Sequence, residues 1–150
     1  MEEPIDPGDR AAVEELLYAY ADHLDRGEIT SLGQLFTEEV RVDYGPHMSP
    51  LRSRSELESA LQRGQNELFS ATSHHLSNVR LRRGERARAV KGVAYVYAWH
   101  RYRDGAPDGE LWGRYEIEAQ QTCDGWRLSA LRLACAGTRD LHSDRMHPIR

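Results

Sequence analysis

Ser73-His74-His75-Leu76-Ser77-Asn78-Val79-Arg80-Leu81 places two adjacent histidines at the head of a run that passes into alternating aliphatic residues. Alternation of this kind marks a half-buried strand. An imidazole takes and returns a proton near neutral pH, so a histidine at such a place is a candidate general acid or base. Neighbours on a regular strand point to opposite faces, so His74 and His75 cannot chelate one metal together. Counting back by twos from Val79 and Leu81 puts His75 on the apolar face; a bulge near Leu76-Ser77 would put His74 there instead.

The run over 72–82 is the first of four. The others cover about 87–103, 110–123 and 126–136, separated by Arg83-Gly84, by Asp104-Gly105 with Asp108-Gly109, and by Asp124-Gly125. The last pair is a two-residue hairpin signal. Upstream the texture is helical. Val13, Leu16, Leu17, Tyr20, Ala21 and Leu24 recur at steps of three and four after Asp9, a candidate N-cap, and the helix closes near Asp25-Arg26-Gly27 with Gly27 as a left-handed cap. Ile29 to Phe36 reads as a second short helix, Val40 to Tyr44 as a strand, and Ser55-x-x-Glu58 opens a third helix carrying Leu57, Leu61 and Leu68. Helices first and antiparallel strands after them predict an α+β layer. Residues 1–8 read as a disordered lead, 9–136 as one domain, and 137–150, with His142, Met146 and His147, as an irregular polar tail.

At 150 residues the chain is one domain, large enough to bury a core. With 20 basic and 24 acidic residues the net charge is −4, which argues against a nucleic-acid binder. Arg80, Arg82, Arg83, Arg86 and Arg88 form a basic hairpin that reads as a solvated sheet rim. Cys123 and Cys135 have no metal-ligand spacing and are expected as reduced thiols. No apolar run reaches membrane length, and the chain opens unlike a signal peptide, so no membrane association and a cytoplasmic location are expected. No metal motif, phosphate loop or nucleophile elbow appears; Asp43 and His47 flank a turn but are a weak ion site.

Asp25 lies near the end of the first helix, where the macrodipole disfavours a carboxylate. On the helical wheel Tyr20 falls in the apolar stripe and Asp25 at its edge, while Tyr18, Asp22 and His23 point toward solvent. Tyr44 ends the first strand. In Tyr95-Val96-Tyr97-Ala98-Trp99-His100-Arg101-Tyr102, Val96, Ala98 and His100 share one face, and Tyr95, Tyr97 and Trp99 the other. Apolar character on both faces predicts a core on one side and a protein interface on the other.

Tyr20-Ala21-Asp22-His23-Leu24-Asp25-Arg26-Gly27, Val42-Asp43-Tyr44, Ser73-His74-His75-Leu76-Ser77-Asn78-Val79, His100-Arg101-Tyr102 and Asp124-Gly125-Trp126-Arg127-Leu128 together resemble the SnoaL-like family of the nuclear-transport-factor-2-like superfamily. The likeness spans about residues 9 to 136. It implies a curved antiparallel sheet wrapped around the N-terminal helices, a cone with a central pocket. Within the superfamily the pattern is most similar to the branch of scytalone dehydratase and bile-acid 7α-dehydratase. That resemblance implies a His74–Asp25 pair for elimination, with Tyr20, Tyr44 and His100 as further catalytic groups. His75, Asn78, Val96 and Tyr115 are expected as substrate-binding residues, and neither a metal nor a cofactor is expected. The implied activity is a dehydratase acting on a small polycyclic or aromatic-like hydroxy-carbonyl compound, of the kind found in polyketide and other secondary metabolism. An isomerase or cyclase using the same pair, and a non-catalytic small-molecule-binding domain, stay open, because this superfamily hosts many activities. A homodimer or homotrimer through Tyr95, Tyr97, Trp99 and Tyr115 is the expected assembly, with the small molecule as the other partner.

Overall fold

A computed structural model of the chain describes residues 4–141 and 147–149. Three helices, α1 (Pro7–Arg26), α2 (Ile29–Gly33) and α3 (Arg54–Glu67), pack on a curved, unclosed sheet. Its strands are β1 (Phe36–Asp43), β2 (Leu51–Ser53), β3 (Phe69–Arg83), β4 (Ala89–Tyr102), β5 (Gly109–Thr122), β6 (Gly125–Arg139) and β7 (His147–Pro148). The order is β2-β1-β6-β5-β4-β3, with β7 beside β6. The four long strands form an antiparallel meander, as expected; β1 and β7 each run parallel to β6.

Helix α1 is the plug of the cone. Its stripe Val13, Leu16, Leu17, Tyr20, Ala21 and Leu24 is buried against the inner faces of the strands. A fully buried side chain such as Leu17 contributes roughly 1.5–3 kcal/mol, so this stripe holds the helix in place. Gly27 adopts φ 74°, and the N–H groups of Gly27 and Glu28 close the helix on Leu24 and His23 carbonyls. Gln65 of α3 adds a bond from its Nε2 to the Leu24 carbonyl at 2.7 Å. The end of α1, and Asp25 with it, is therefore fixed.

Several boundaries differ from expectation, each for a physical reason. Asp6, not Asp9, caps α1 through its carboxylate; Asp9 instead accepts the indole N–H of Trp126 at 3.0 Å. The second helix stops at Gly33, and the chain is already extended at Phe36, which is fully buried against the sheet. Strand β6 runs on to Arg139, and His147–Pro148 pairs with Ala134 and Cys135, so the tail is not wholly irregular. The expectations for residues 1–3 and for His142 and Met146 lie outside the described residues. Among the described residues, no helix is long and apolar enough to cross a membrane.

The outward face of β4 carries Tyr95, Tyr97 and Trp99, and its inward face Val96 and Ala98, as the alternation predicts. Tyr115 departs from the expected interface set: it points inward and is buried.

Candidate active site

The local geometry of β3 decides which histidine faces inward. Pairing with β4 is regular from Ala71↔Arg101 to Ser77↔Tyr95, then resumes at Arg80↔Val93 with one residue more on β3. That extra residue is a bulge, with Asn78 in the left-handed region at φ 51°, which asparagine tolerates better than most residues. Arg10 of α1 donates to the Val79 carbonyl at 3.1 Å and anchors it. A bulge inverts parity, so Val79 and Leu81 lean on the core while two-residue counting from them fails. His74 pairs with Ala98 and turns inward; His75 is exposed and bonds Ser73 at 2.9 Å.

Asp25 meets His74 at the head of a cavity. The His74 Nδ1–H donates to Asp25 Oδ1 at 2.6 Å, the His74 backbone N–H donates to Oδ2 at 2.8 Å, and Thr72 Oγ1 donates to Oδ1 at 2.9 Å. Burial alone would raise the Asp25 pKa. The side-chain and backbone bonds from His74, its charge and the Thr72 hydroxyl outweigh burial and hold the carboxyl below its ordinary value. An ionised Asp25 fixes the proton of a neutral His74 ring on Nδ1 and leaves Nε2 with its lone pair. His74 is only 7% exposed.

The cavity measures about 440 Å³ and is lined by His74, His100, Tyr20, Tyr44 and Tyr115. Leu24, Leu61, Leu111, Leu133, Phe69 and Ala98 supply apolar wall. The Tyr20 and Tyr44 hydroxyls lie 2.7 Å apart and share a hydrogen bond, and the Tyr115 ring meets Tyr20 edge-on at 5.6 Å. Burial pushes all three phenols well up, so they stay protonated and can donate. His100 stands against His74, ring to ring at 5.5 Å, with Phe69 on its other side at 4.7 Å. Burial, reinforced by the charge of His74, lowers its pKa to about 4. Its Nδ1 is buried without a well-formed hydrogen bond, the Gly109 backbone lying near enough only to oppose the shift in part. His100 is thus a neutral imidazole at physiological pH.

Of the expected pocket residues, Asp25, His74, Tyr20, Tyr44, His100 and Tyr115 come together. His75 and Asn78 do not: the bulge leaves both exposed on the outer side. Val96 is buried in the core beside Leu76 and does not line the cavity. The reading of residues missed Thr72, whose hydroxyl is the third donor to Asp25; its spacing of two from His74 on one strand face was the available signal. No group of three or more candidate metal ligands occurs among the described residues. Asp43 is engaged otherwise, accepting from Gly45 N–H at 3.1 Å and from His147 Nε2 at 2.8 Å.

A cone of meandering strands around a helical plug, with an acid–histidine pair and phenols in its pocket, defines an α+β protein of the nuclear-transport-factor-2-like fold. The chain belongs to the SnoaL-like domain family, whose model matches residues 8–132. It is similar to a scytalone dehydratase-like protein from Novosphingobium aromaticivorans, 29% identical over 94% of this chain and 93% of that one, with a TM-score of 0.85. It is also similar to the Kfla4162 protein from Kribbella flavida, 30% identical over 88% and 93%, TM-score 0.79. The hexachlorocyclohexane dehydrochlorinase LinA-type3 from Novosphingobium barchaimii shares the fold at 15% identity, 95% coverage of both chains and TM-score 0.80. No curated protein sequence matches the chain.

Proposed function

We propose that the protein is a lyase that eliminates water, without a cofactor, from a small polycyclic or aromatic-like hydroxy-carbonyl compound. The observation that carries this reading is the 2.6 Å contact of His74 Nδ1 with Asp25 at the head of the cavity. The resemblance to a scytalone dehydratase-like protein and the common fold with a dehydrochlorinase support elimination as the reaction class.

His74 Nε2 removes the proton on the carbon next to the carbonyl, and Asp25 stabilises the imidazolium that forms. Tyr20 and Tyr44, kept protonated, donate toward the carbonyl oxygen as it gains enolate charge. The enolate then expels the hydroxyl at the β-carbon. With His100 neutral, the proton that completes the departing water comes from the His74 imidazolium, which returns to its starting state. His100 serves as a neutral donor or wall at the leaving group. The net change is one C–H and one C–O bond broken, one C=C bond and one water formed.

Incubation with a panel of aromatic and polycyclic β-hydroxy ketones, read by mass spectrometry, tests the reading. Loss of one water in the wild type and its abolition in His74→Ala supports it. Conversion without change of mass would replace it by isomerisation, and binding without turnover by a non-catalytic role.

A further inference from the structure

Asp25 does not line the cavity that His74 faces. It lines a second space, a crevice of about 160 Å³ whose walls include Gln65, Ser70, Ala71, Thr72 and Arg103. Gln65, Phe69 and Thr72 border both spaces and form the partition between them. The two members of the pair are exposed unequally, His74 at 7% and Asp25 at 24%. The exposed part of Asp25 therefore opens on the crevice, away from the cavity.

Asp25 also has acceptor capacity to spare. A carboxylate offers about four lone-pair sites, two on each oxygen. Oδ1 takes the His74 Nδ1–H and the Thr72 hydroxyl, whereas Oδ2 takes only the His74 backbone N–H among the described residues. A half-buried charged oxygen fills such a site with water when water can reach it. The crevice has room for several water molecules at roughly 30 Å³ each, and the Thr72 and Ser70 hydroxyls give them polar partners. Its frame is fixed. Arg103 donates from Nε and Nη2 to the Gln65 carbonyl at 2.8 and 2.6 Å, and from its backbone N–H to the Leu68 carbonyl at 2.9 Å. The cavity side offers no equal route, because its wall is largely apolar and a bound substrate displaces water from it.

We infer that the crevice is a proton port, a water-filled path by which Asp25, and the Nδ1 proton of His74 behind it, exchange with bulk solvent while substrate fills the cavity. This use of the crevice rests on the reading of His74 and Asp25 as the working pair. When His74 holds a second proton on Nε2, its Nδ1 proton passes to Asp25. One N–H bond breaks, one O–H bond forms, and both groups become neutral. The carboxyl proton then exchanges for a proton of a crevice water, and the reverse transfer restores the starting charges. Protons and charge balance throughout, and no reactant besides water is needed. The pair thus stays in equilibrium with bulk pH when its other side is sealed.

Proton NMR of the substrate-free protein tests this without turnover, so a failure here leaves the lyase reading standing, and an inactive protein leaves the port standing. Ala71 lines only the crevice and Leu61 only the cavity, so Ala71→Trp narrows the first and Leu61→Trp fills the second. Exchange of the His74 Nδ1 proton with water, read by saturation transfer, is expected to slow at least about tenfold in Ala71→Trp and to stay within about twofold of wild type in Leu61→Trp. Amide spectra show whether each variant is folded, and Ser70→Leu takes the place of Ala71→Trp where that chain does not fold. Exchange left unchanged by narrowing the crevice, or slowed equally by filling the cavity, would overturn the inference.

Discussion

Among the described residues, two close histidine–aspartate pairs are of opposite character. His74 meets Asp25 at 2.6 Å, and His147 meets Asp43 at 2.8 Å, so distance hardly separates them. Their settings do. His74 bonds through Nδ1 and opens its other nitrogen to a cavity, while His147 bonds through Nε2 and ties the short strand β7 to the end of β1. Asp25 is gripped by three donors, two of them from His74, whereas Asp43 shares its bonded oxygen with the turn at Gly45. A pair of the right length is common chemistry; a pair whose histidine also lines a largely apolar cavity is a candidate site.

The largest expected effect separates the pairs by activity. His74→Ala should lower turnover by about 10²- to 10⁴-fold, while His147→Gln leaves it within about twofold, measured as initial rates on the same hydroxy ketone. Comparable losses in both would erase the distinction. Next comes the phenol pair: Tyr44→Phe should cost about 10² in kcat with little change in KM, because its hydrogen bond strengthens only as enolate charge develops.

A third histidine sharpens the contrast through stability. His100 is buried and makes no ion pair among the described residues, and burial, with the charge of His74, takes its pKa to about 4 from 6.5, the Asp25 carboxylate opposing only in part. Above pH 6.5 the ring is neutral in both folded and unfolded chains and costs nothing. As pH falls from 6.5 toward 4, the unfolded chain takes up the proton first, so stability declines, on the order of 3 kcal/mol, and the loss levels off below pH 4. Denaturant melts at several pH values should show this slope in the wild type and a shallower one in His100→Asn. Asp25 adds to acid sensitivity in the same direction: its contribution holds above the ordinary carboxylate range and is lost as pH falls through its lowered value. The smallest effect belongs to His147. Its pair is partly exposed, so His147→Gln should cost no more than about 1 kcal/mol, visible as faster amide exchange confined to β7 and its contact on β6.

The two pairs also differ in how legible they were. Asp25 stood out as a carboxylate at the wrong end of a helix, and His74 came from the resemblance to a family. Period-two counting from Val79 and Leu81 pointed to His75, because a single left-handed residue at Asn78 reverses the parity of everything before it. That reversal depends on the partner strand and on Arg10 of α1, neither of which local pattern can supply. The long strands were legible since each alternates over many residues. Strands β2 and β7 were not, for they span 3 and 2 residues and are fixed only by their neighbours. The Asp43–His147 pair, which bridges 104 residues of chain, left no local trace at all. The neutral state of His100 likewise follows from burial against Phe69 and His74, a tertiary fact.

The central claim is that Asp25 presents His74 as a base with its Nε2 lone pair toward the cavity. Nitrogen-15 NMR of the neutral imidazole rings measures this without any substrate. The account predicts a proton on Nδ1 and a bare Nε2 for His74, the reverse for His147, and loss of the His74 preference in Asp25→Ala. A His74 ring protonated on Nε2 would contradict it.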